Sequence, residues 1–139
     1  MSAAESKFLQ AEAVERYGVP GDAEALYQEG IEANFEKHGV SGADALYGPG
    51  GPYEYDGIES IIFQKWIACA NFNALESHFE RLRTGYPDHF TITPNNITGG
   101  VFPRRLPYTS TELSNNAVNL NAIGGQKTVI QRTWWNVAN

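Results

Sequence analysis

The sequence predicts a mainly α-helical protein, built from a helical hairpin, a second helix pair, long irregular loops and an extended C-terminal tail. Three observations carry this expectation. Apolar residues in the first part of the chain recur three and four positions apart, the spacing of one helix face. Glycine and proline cluster between those periodic stretches, where helices must end. After Pro87, Pro94-Asn95-Asn96 and Gly99-Gly100 supply turns, and Pro103 and Pro107 bias their preceding residues away from helix, leaving loop and extended chain.

In the first element Phe8, Leu9, Ala11, Ala13, Val14 and Tyr17 form one apolar face, and Gly18, Pro20 and Gly21 break it. Asp22 is placed as an N-cap, with Glu24 in the first turn to complement the helix dipole. The second helix then runs from Ala23 to about His38 with Leu26, Tyr27, Ile31 and Phe35 on its buried side. Gly39 stands where a left-handed C-terminal cap is wanted. Residues 1–40, with small residues, a short Gly turn and then Ala23, Tyr27 and Ile31, resemble one tetratricopeptide repeat. A single repeat cannot bury its faces alone, so uncovered faces are expected to promote self-association.

Residues 41–57 change character: Gly48-Pro49-Gly50-Gly51-Pro52-Tyr53-Glu54-Tyr55-Asp56-Gly57 is turn chemistry with embedded aromatics. A long irregular loop in a compact domain is usually functional or mobile. The helix pair of residues 58–87 follows. Its first member, from Ile58 to Ala70, carries Ile58, Ile62, Trp66 and Cys69 on one face with Ile61 beside them. Asn71-Phe72-Asn73 interrupts, and a second helix over residues 74–83 is expected to turn Leu75, Phe79 and Leu82 inward. Thr84-Gly85 ends it and Pro87 prevents its return.

Residues 88–139 are expected to form an irregular wrap. Residues 91–100 read as loop and residues 101–108 as extended chain. Ser110 or Thr111 caps a helix ending at Asn116 or continuing to Ala122, before Gly124-Gly125 stops it. Thr128-Val129-Ile130 and Thr133-Trp134-Trp135-Asn136-Val137 close the chain as a strand-like or loop tail whose aromatics need a surface to pack against.

The chain has 139 residues, enough for one domain over residues 1–139 with a real core. A net charge of −6 argues against nucleic acid, since no basic stripe is present to meet phosphates. Cys69 lies in an apolar helix and reads as a small buried hydrophobe. One thiol makes no disulfide framework, and His38, His78 and His89 lack ligand spacing, so neither metal nor cofactor is expected. The first residues show no signal peptide and no lipidated cysteine, and no apolar run approaches the roughly 20 residues of a membrane helix. As written, the chain is expected to be soluble.

Two segments carry a family resemblance. Ile61-Ile62-Phe63-Gln64-Lys65-Trp66-Ile67-Ala68, then Leu75-Glu76, then Glu80-Arg81-Leu82-Arg83-Thr84-Gly85-Tyr86-Pro87 is similar to a helix pair of SusD/RagB C-termini. Phe102-Pro103-Arg104-Arg105-Leu106-Pro107-Tyr108, then Glu112 and Asn115-Asn116, resembles that family's arginine-tyrosine-glutamate-asparagine segment, and Trp134-Trp135 fits its ending. The resemblance implies the C-terminal portion of an outer-membrane, cell-surface lipoprotein that captures glycans without catalysis. It also implies a SusC-like TonB-dependent transporter as partner of the full-length parent. Family members are several times longer and contain four repeat units, whereas one repeat-like hairpin is visible in this sequence.

With that resemblance, Tyr47, Tyr53 and Tyr55 are the candidate glycan platform, because sugar CH faces pack on aromatic rings. The same three rings equally serve to staple the loop to the core. Arg81, Arg83, Arg104 and Arg105 offer guanidinium forks for an anion, but the structural reading is preferred. Arg83 suits a helix C-terminus, and Arg104 or Arg105 is expected to pair with Glu112 or Glu76. Trp66 is expected in the core, with Trp134 and Trp135 covering the hairpin. Glu76 and Glu80 read as one solvated helix face, not as carboxylates facing across a cleft at about 5 or about 7–9 Å as a glycosidase needs. No nucleophile elbow, phosphate loop or metal motif appears, and Asn96-Ile97-Thr98 reads as a chance glycosylation sequon. The competing expectation is a helical-repeat module that holds a peptide or protein in an apolar groove on the Leu26 to Phe35 face. A small glycan-active hydrolase comes third.

Overall fold

A computed structural model of the chain describes residues 1–70 and 72–136. Asn71, in the expected interruption, and Val137, in the expected tail, lie outside the described residues. Among the described residues there are seven helices and no strand: α1 Ala3–Tyr17, α2 Ala23–His38, α3 Asp44–Tyr47, α4 Ile58–Ala70, α5 Ala74–Thr84, α6 Ser110–Asn115 and α7 Ala117–Ala122. The mainly α class expected from the sequence is the one observed. Contacts gather into two compact units, Met1–Asp88 holding α1 to α5 and His89–Asn139 holding α6 and α7.

In the first unit α1 begins ahead of its apolar pattern because Ser2 and Glu5 form a capping box. The Ser2 hydroxyl accepts from the Glu5 N–H and the Glu5 carboxylate accepts from the Ser2 N–H, both at 3.1 Å. Asp22 caps α2 through the Ala25 N–H at 3.0 Å, and Gly39 ends it at φ 67°. Phe8 and Ala11 of α1, Tyr27 and Ile31 of α2 and Ile61 of α4 form the buried centre. At the crossing of α1 and α2 the Phe8 ring lies against Gly30, where an added Cβ would stand 2.5 Å from Cε1. Glycine is a poor helix former, but only its bare backbone admits the ring. Tyr17, expected on the apolar face, is 76% exposed.

Within residues 41–57 the chain makes one helical turn, α3, and then doubles back so that the Tyr53 N–H donates to the Leu46 carbonyl at 2.9 Å. Gly51 sits inside that fold-back, where an added Cβ would stand 2.4 Å from the Leu46 oxygen. α4 buries Ile61, Ile62, Ala68 and Cys69, together with the polar Gln64 and Lys65, while Trp66 is only half-buried.

α5 differs from expectation. Leu82 is buried, but Leu75 is 62% and Phe79 40% exposed. The buried face is formed by Ser77, Glu80 and Leu82. Ser77 donates to the Trp66 carbonyl at 3.1 Å and Glu80 meets Lys65, so polar pairing with α4 sets the rotation of α5. An apolar pattern read locally gives no sight of those partners.

In the second unit the Phe90 and Phe102 rings meet at 5.6 Å. The Arg104 and Arg105 N–H groups both donate to the Val129 carbonyl, at 2.7 and 3.2 Å, which ties residues 101–108 to the closing segment without forming a strand. Thr109, one residue before the expected cap, accepts from the Glu112 N–H at 3.3 Å. The helix then breaks at Asn116 and resumes as α7, which buries Leu120.

Candidate functional site

The three tyrosines of the Gly-Pro loop fall in different places. Tyr55 is half-buried, its ring 5.5 Å from that of Tyr27, and its hydroxyl donates to Glu15 of α1 at 2.6 Å. Burial and the Glu15 carboxylate push the Tyr55 phenol well above its usual range, so it stays a neutral donor. The Tyr47 hydroxyl, at the end of α3, donates to Glu32 of α2 at 2.5 Å, and that bond raises the phenol to about 12. Both rings fasten the loop to the hairpin.

Tyr53 is at the surface instead. Its ring stacks on Phe63 of α4, with centroids 5.6 Å apart and planes 25° from parallel. This stack lies in an open groove of about 230 Å³ lined also by Tyr27, Pro52, Glu54, Asp56, Glu59 and Ser60. The groove is anchored from below, where the buried Tyr27 hydroxyl donates to the Tyr53 carbonyl at 2.8 Å. Burial, with Tyr53 nearby, pushes the Tyr27 phenol up to about 12, so it remains a donor throughout the neutral range. At the α4 end, the Ser60 hydroxyl accepts from the Asp56 N–H at 3.0 Å and donates to the Gly57 carbonyl at 2.8 Å. Glu54 is held by the Gly50 N–H. Tyr27→Phe removes the anchor and strands a carbonyl. We expect a loss of about 1–2 kcal/mol in urea denaturation; an unchanged midpoint would show the bond to be idle.

A larger cavity of about 440 Å³ lies beside the start of α1, lined by Glu5, Lys37, Cys69 and Phe72 among others. Its aromatic face is already taken, for the Lys37 ammonium sits 3.2 Å from the Phe72 centroid. Burial, with Glu5 adding to it, pushes the Cys69 thiol up to about 11, which leaves it unreactive at neutral pH.

Two charged residues of the helix pair are buried. Lys65 and Glu80 are 3% and 5% exposed and meet at 2.8 Å. Arg83 grips Glu12 of α1 with two bonds of 2.7 and 2.8 Å and Glu80 with one of 2.6 Å. Arg16 adds a contact to Glu12 at 2.8 Å. Burial alone would raise the Glu80 carboxyl, but hydrogen bonds and charge from Arg83 and Lys65 outweigh it and hold it below the usual range. The same carboxylates hold Arg83 above its usual range against the effect of burial. This corrects the reading of Glu80 as part of a solvated face: it is a buried clamp joining α1, α4 and α5. The signal was present, since Glu12 and Lys65 each interrupt an otherwise apolar stripe.

The remaining predicted residues lie in the second unit. Arg105 stands 5.1 Å from the Tyr108 ring centroid, within cation–π range. Among the described residues Glu112 forms no ion pair with Arg104 or Arg105; it accepts from the Asn116 side chain instead. Trp134 is 92% exposed and Trp135 half-buried, because the chain turns there, with the Asn136 N–H donating to the Thr133 carbonyl at 3.1 Å. Trp134, expected to need a surface to pack against, is thus exposed within its own unit.

The competing functions lose ground on geometry. The Leu26 to Phe35 face of α2 is packed on the core, so the open apolar groove required for a peptide is filled. Glu12 and Glu80 are both paired with Arg83, and Glu54, Asp56 and Glu59 are exposed on one rim, not facing one another across a cleft as a glycosidase requires.

The helical scaffold thus presents an aromatic groove through a pinned loop. The chain belongs to the SusD-like family, described as starch-binding and associating with the outer membrane, whose model matches residues 1–109. It is similar over 100% of its length to a SusD homologue from Bacteroides thetaiotaomicron VPI-5482, at 29% identity and a TM-score of 0.82, covering 38% of that protein. A chitin-binding SusD homologue from Flavobacterium johnsoniae matches over 100% of this chain and 36% of its own, at 30% identity and TM-score 0.80. A SusD homologue from Bacteroides vulgatus ATCC 8482 matches 99% of this chain and 35% of its own, at 28% identity and TM-score 0.80. No curated protein matches the chain. The chain thus spans little more than a third of these relatives. No helix among the described residues is long and apolar enough to cross a membrane.

Proposed function

We propose that this chain is the C-terminal portion of a non-enzymatic glycan receptor of an outer-membrane nutrient-uptake system. Its full-length parent would work at the cell surface with a SusC-like TonB-dependent transporter. Residues 1–139 would act as one region of that parent. Family membership supports the reading, as does similarity along the whole chain to a homologue described as chitin-binding. The observation that carries it is the Tyr53 ring, stacked on Phe63 at an open groove and pinned through its carbonyl by Tyr27. Such a ring offers a flat apolar face to a pyranose while the carboxyls and the Ser60 hydroxyl beside it accept from sugar OH groups. Tyr47 and Tyr55 hold the loop in position. Titration of starch- and chitin-derived oligosaccharides, followed by tryptophan fluorescence or calorimetry, tests the assignment. Tyr53→Ala should weaken binding at least about tenfold with the fold intact. Equal affinities of wild type and variant would overturn it.

A further inference from the structure

The polar part of the groove is one-sided in charge. Glu54 and Asp56 come from the loop and Glu59 from the first turn of α4, and all three are exposed beside the Tyr53 and Phe63 rings. Among the described residues that line it there is no lysine, arginine or histidine. The nearest positive contribution is the start of α4, and a helix terminus supplies only about half a charge. Three carboxylates outweigh it. Glu15 lies alongside, its carboxylate 3.5 Å from where a Cβ on Gly57 would stand, and Glu24 and Asp22 add to the negative field felt at Tyr55.

From this placement we propose that the groove selects glycans by charge, taking cationic amino sugars in preference to neutral ones and excluding uronic or sulfated ones. The inference rests on the assignment of the groove as the glycan site and names the class of sugar that site prefers. Stacking on Tyr53 is indifferent to charge and gives every pyranose the same contact. A free ammonium at ring position 2, projecting from the stacked sugar toward the rim, gains charge-assisted hydrogen bonds from the carboxylates. A uronate or sulfate at that rim meets like charge with no cation to accept it. A low-polarity ring beside the acids lengthens the reach of both effects, and salt shortens it.

The experiment titrates the 139-residue chain with three oligosaccharides of equal length: glucosamine oligomers, N-acetylglucosamine oligomers and oligogalacturonate. The expected order is cationic, then neutral, then anionic, with at least about tenfold between the extremes at low salt and a narrower spread at high salt. Glu54→Gln combined with Asp56→Asn and Glu59→Gln should collapse the ratio between the extremes toward one. An order unaffected by these substitutions, or affinities independent of charge, overturns the inference while leaving the site. If Tyr53→Ala changes none of the three affinities, or none of the sugars binds, the site assignment itself falls and the inference with it.

Discussion

Glu80→Gln is expected to destabilise the chain by about 3–5 kcal/mol, because it leaves the buried Lys65 ammonium opposite an uncharged amide. The neighbouring Arg83 keeps its two bonds to Glu12 and so cannot swing to compensate. Lys65→Met together with Glu80→Leu should recover much of the loss, since an apolar pair of similar volume removes both desolvation terms at once. The acid limb carries a second signature. Folding holds the Glu80 carboxyl below its ordinary value of 4.5, so the unfolded chain takes up the proton first as pH falls. The stability from this pair is complete above that value and is lost as pH drops toward the depressed folded value. Glu80→Gln has no such proton to gain and should lose less stability than wild type over that acidic window. Denaturation midpoints measured across it decide the matter. A variant within about 1 kcal/mol of wild type at neutral pH, or an acid limb of unchanged slope, would remove the clamp from the account.

Phe8→Ala is expected to cost about 3–5 kcal/mol, as a fully buried ring at the crossing of α1 and α2 gives way to a cavity. Its partner position behaves unusually. Gly30→Ala at any ordinary helix site would stabilise by about 1 kcal/mol through propensity. At this crossing the new methyl would stand between 2.5 and 2.8 Å from three carbons of the Phe8 ring, so overpacking should reverse the sign and cost about 1–3 kcal/mol. In the Phe8→Ala background the space is open, and Gly30→Ala should turn neutral or stabilising. The double-mutant cycle then shows coupling above about 1 kcal/mol. Additive effects would mean that the helices separate at little cost.

Local chemistry made some elements legible in the sequence. α2 and α4 lie where periodicity and flanking residues put them, with Asp22 and Gly39 as caps of α2, because a cap acts within three or four residues of itself. The Ser2 to Glu5 capping box is equally local, but apart from two alanines the first apolar side chain of α1 is Phe8, so the apolar pattern does not mark where the helix begins. The rotation of α5 was not local. It depends on Lys65 and on Glu12, which lies 71 residues from Arg83, and a stripe of Leu75, Phe79 and Leu82 gives no hint of either. The candidate groove shows the same division. Tyr53 stood out as an aromatic among glycines and prolines, whereas Phe63 and Glu59 were hidden in a helix and join the site only through the fold-back at Gly51.

The bond from Tyr27 to the Tyr53 carbonyl joins the hairpin's interior directly to the surface that would meet a ligand. Drift in the packing around that ring is transmitted to the groove, because the bond leaves the loop no independent seat. Exchanges of side chains between Pro52 and Glu59 would instead alter the rim and leave the keystone beneath it undisturbed.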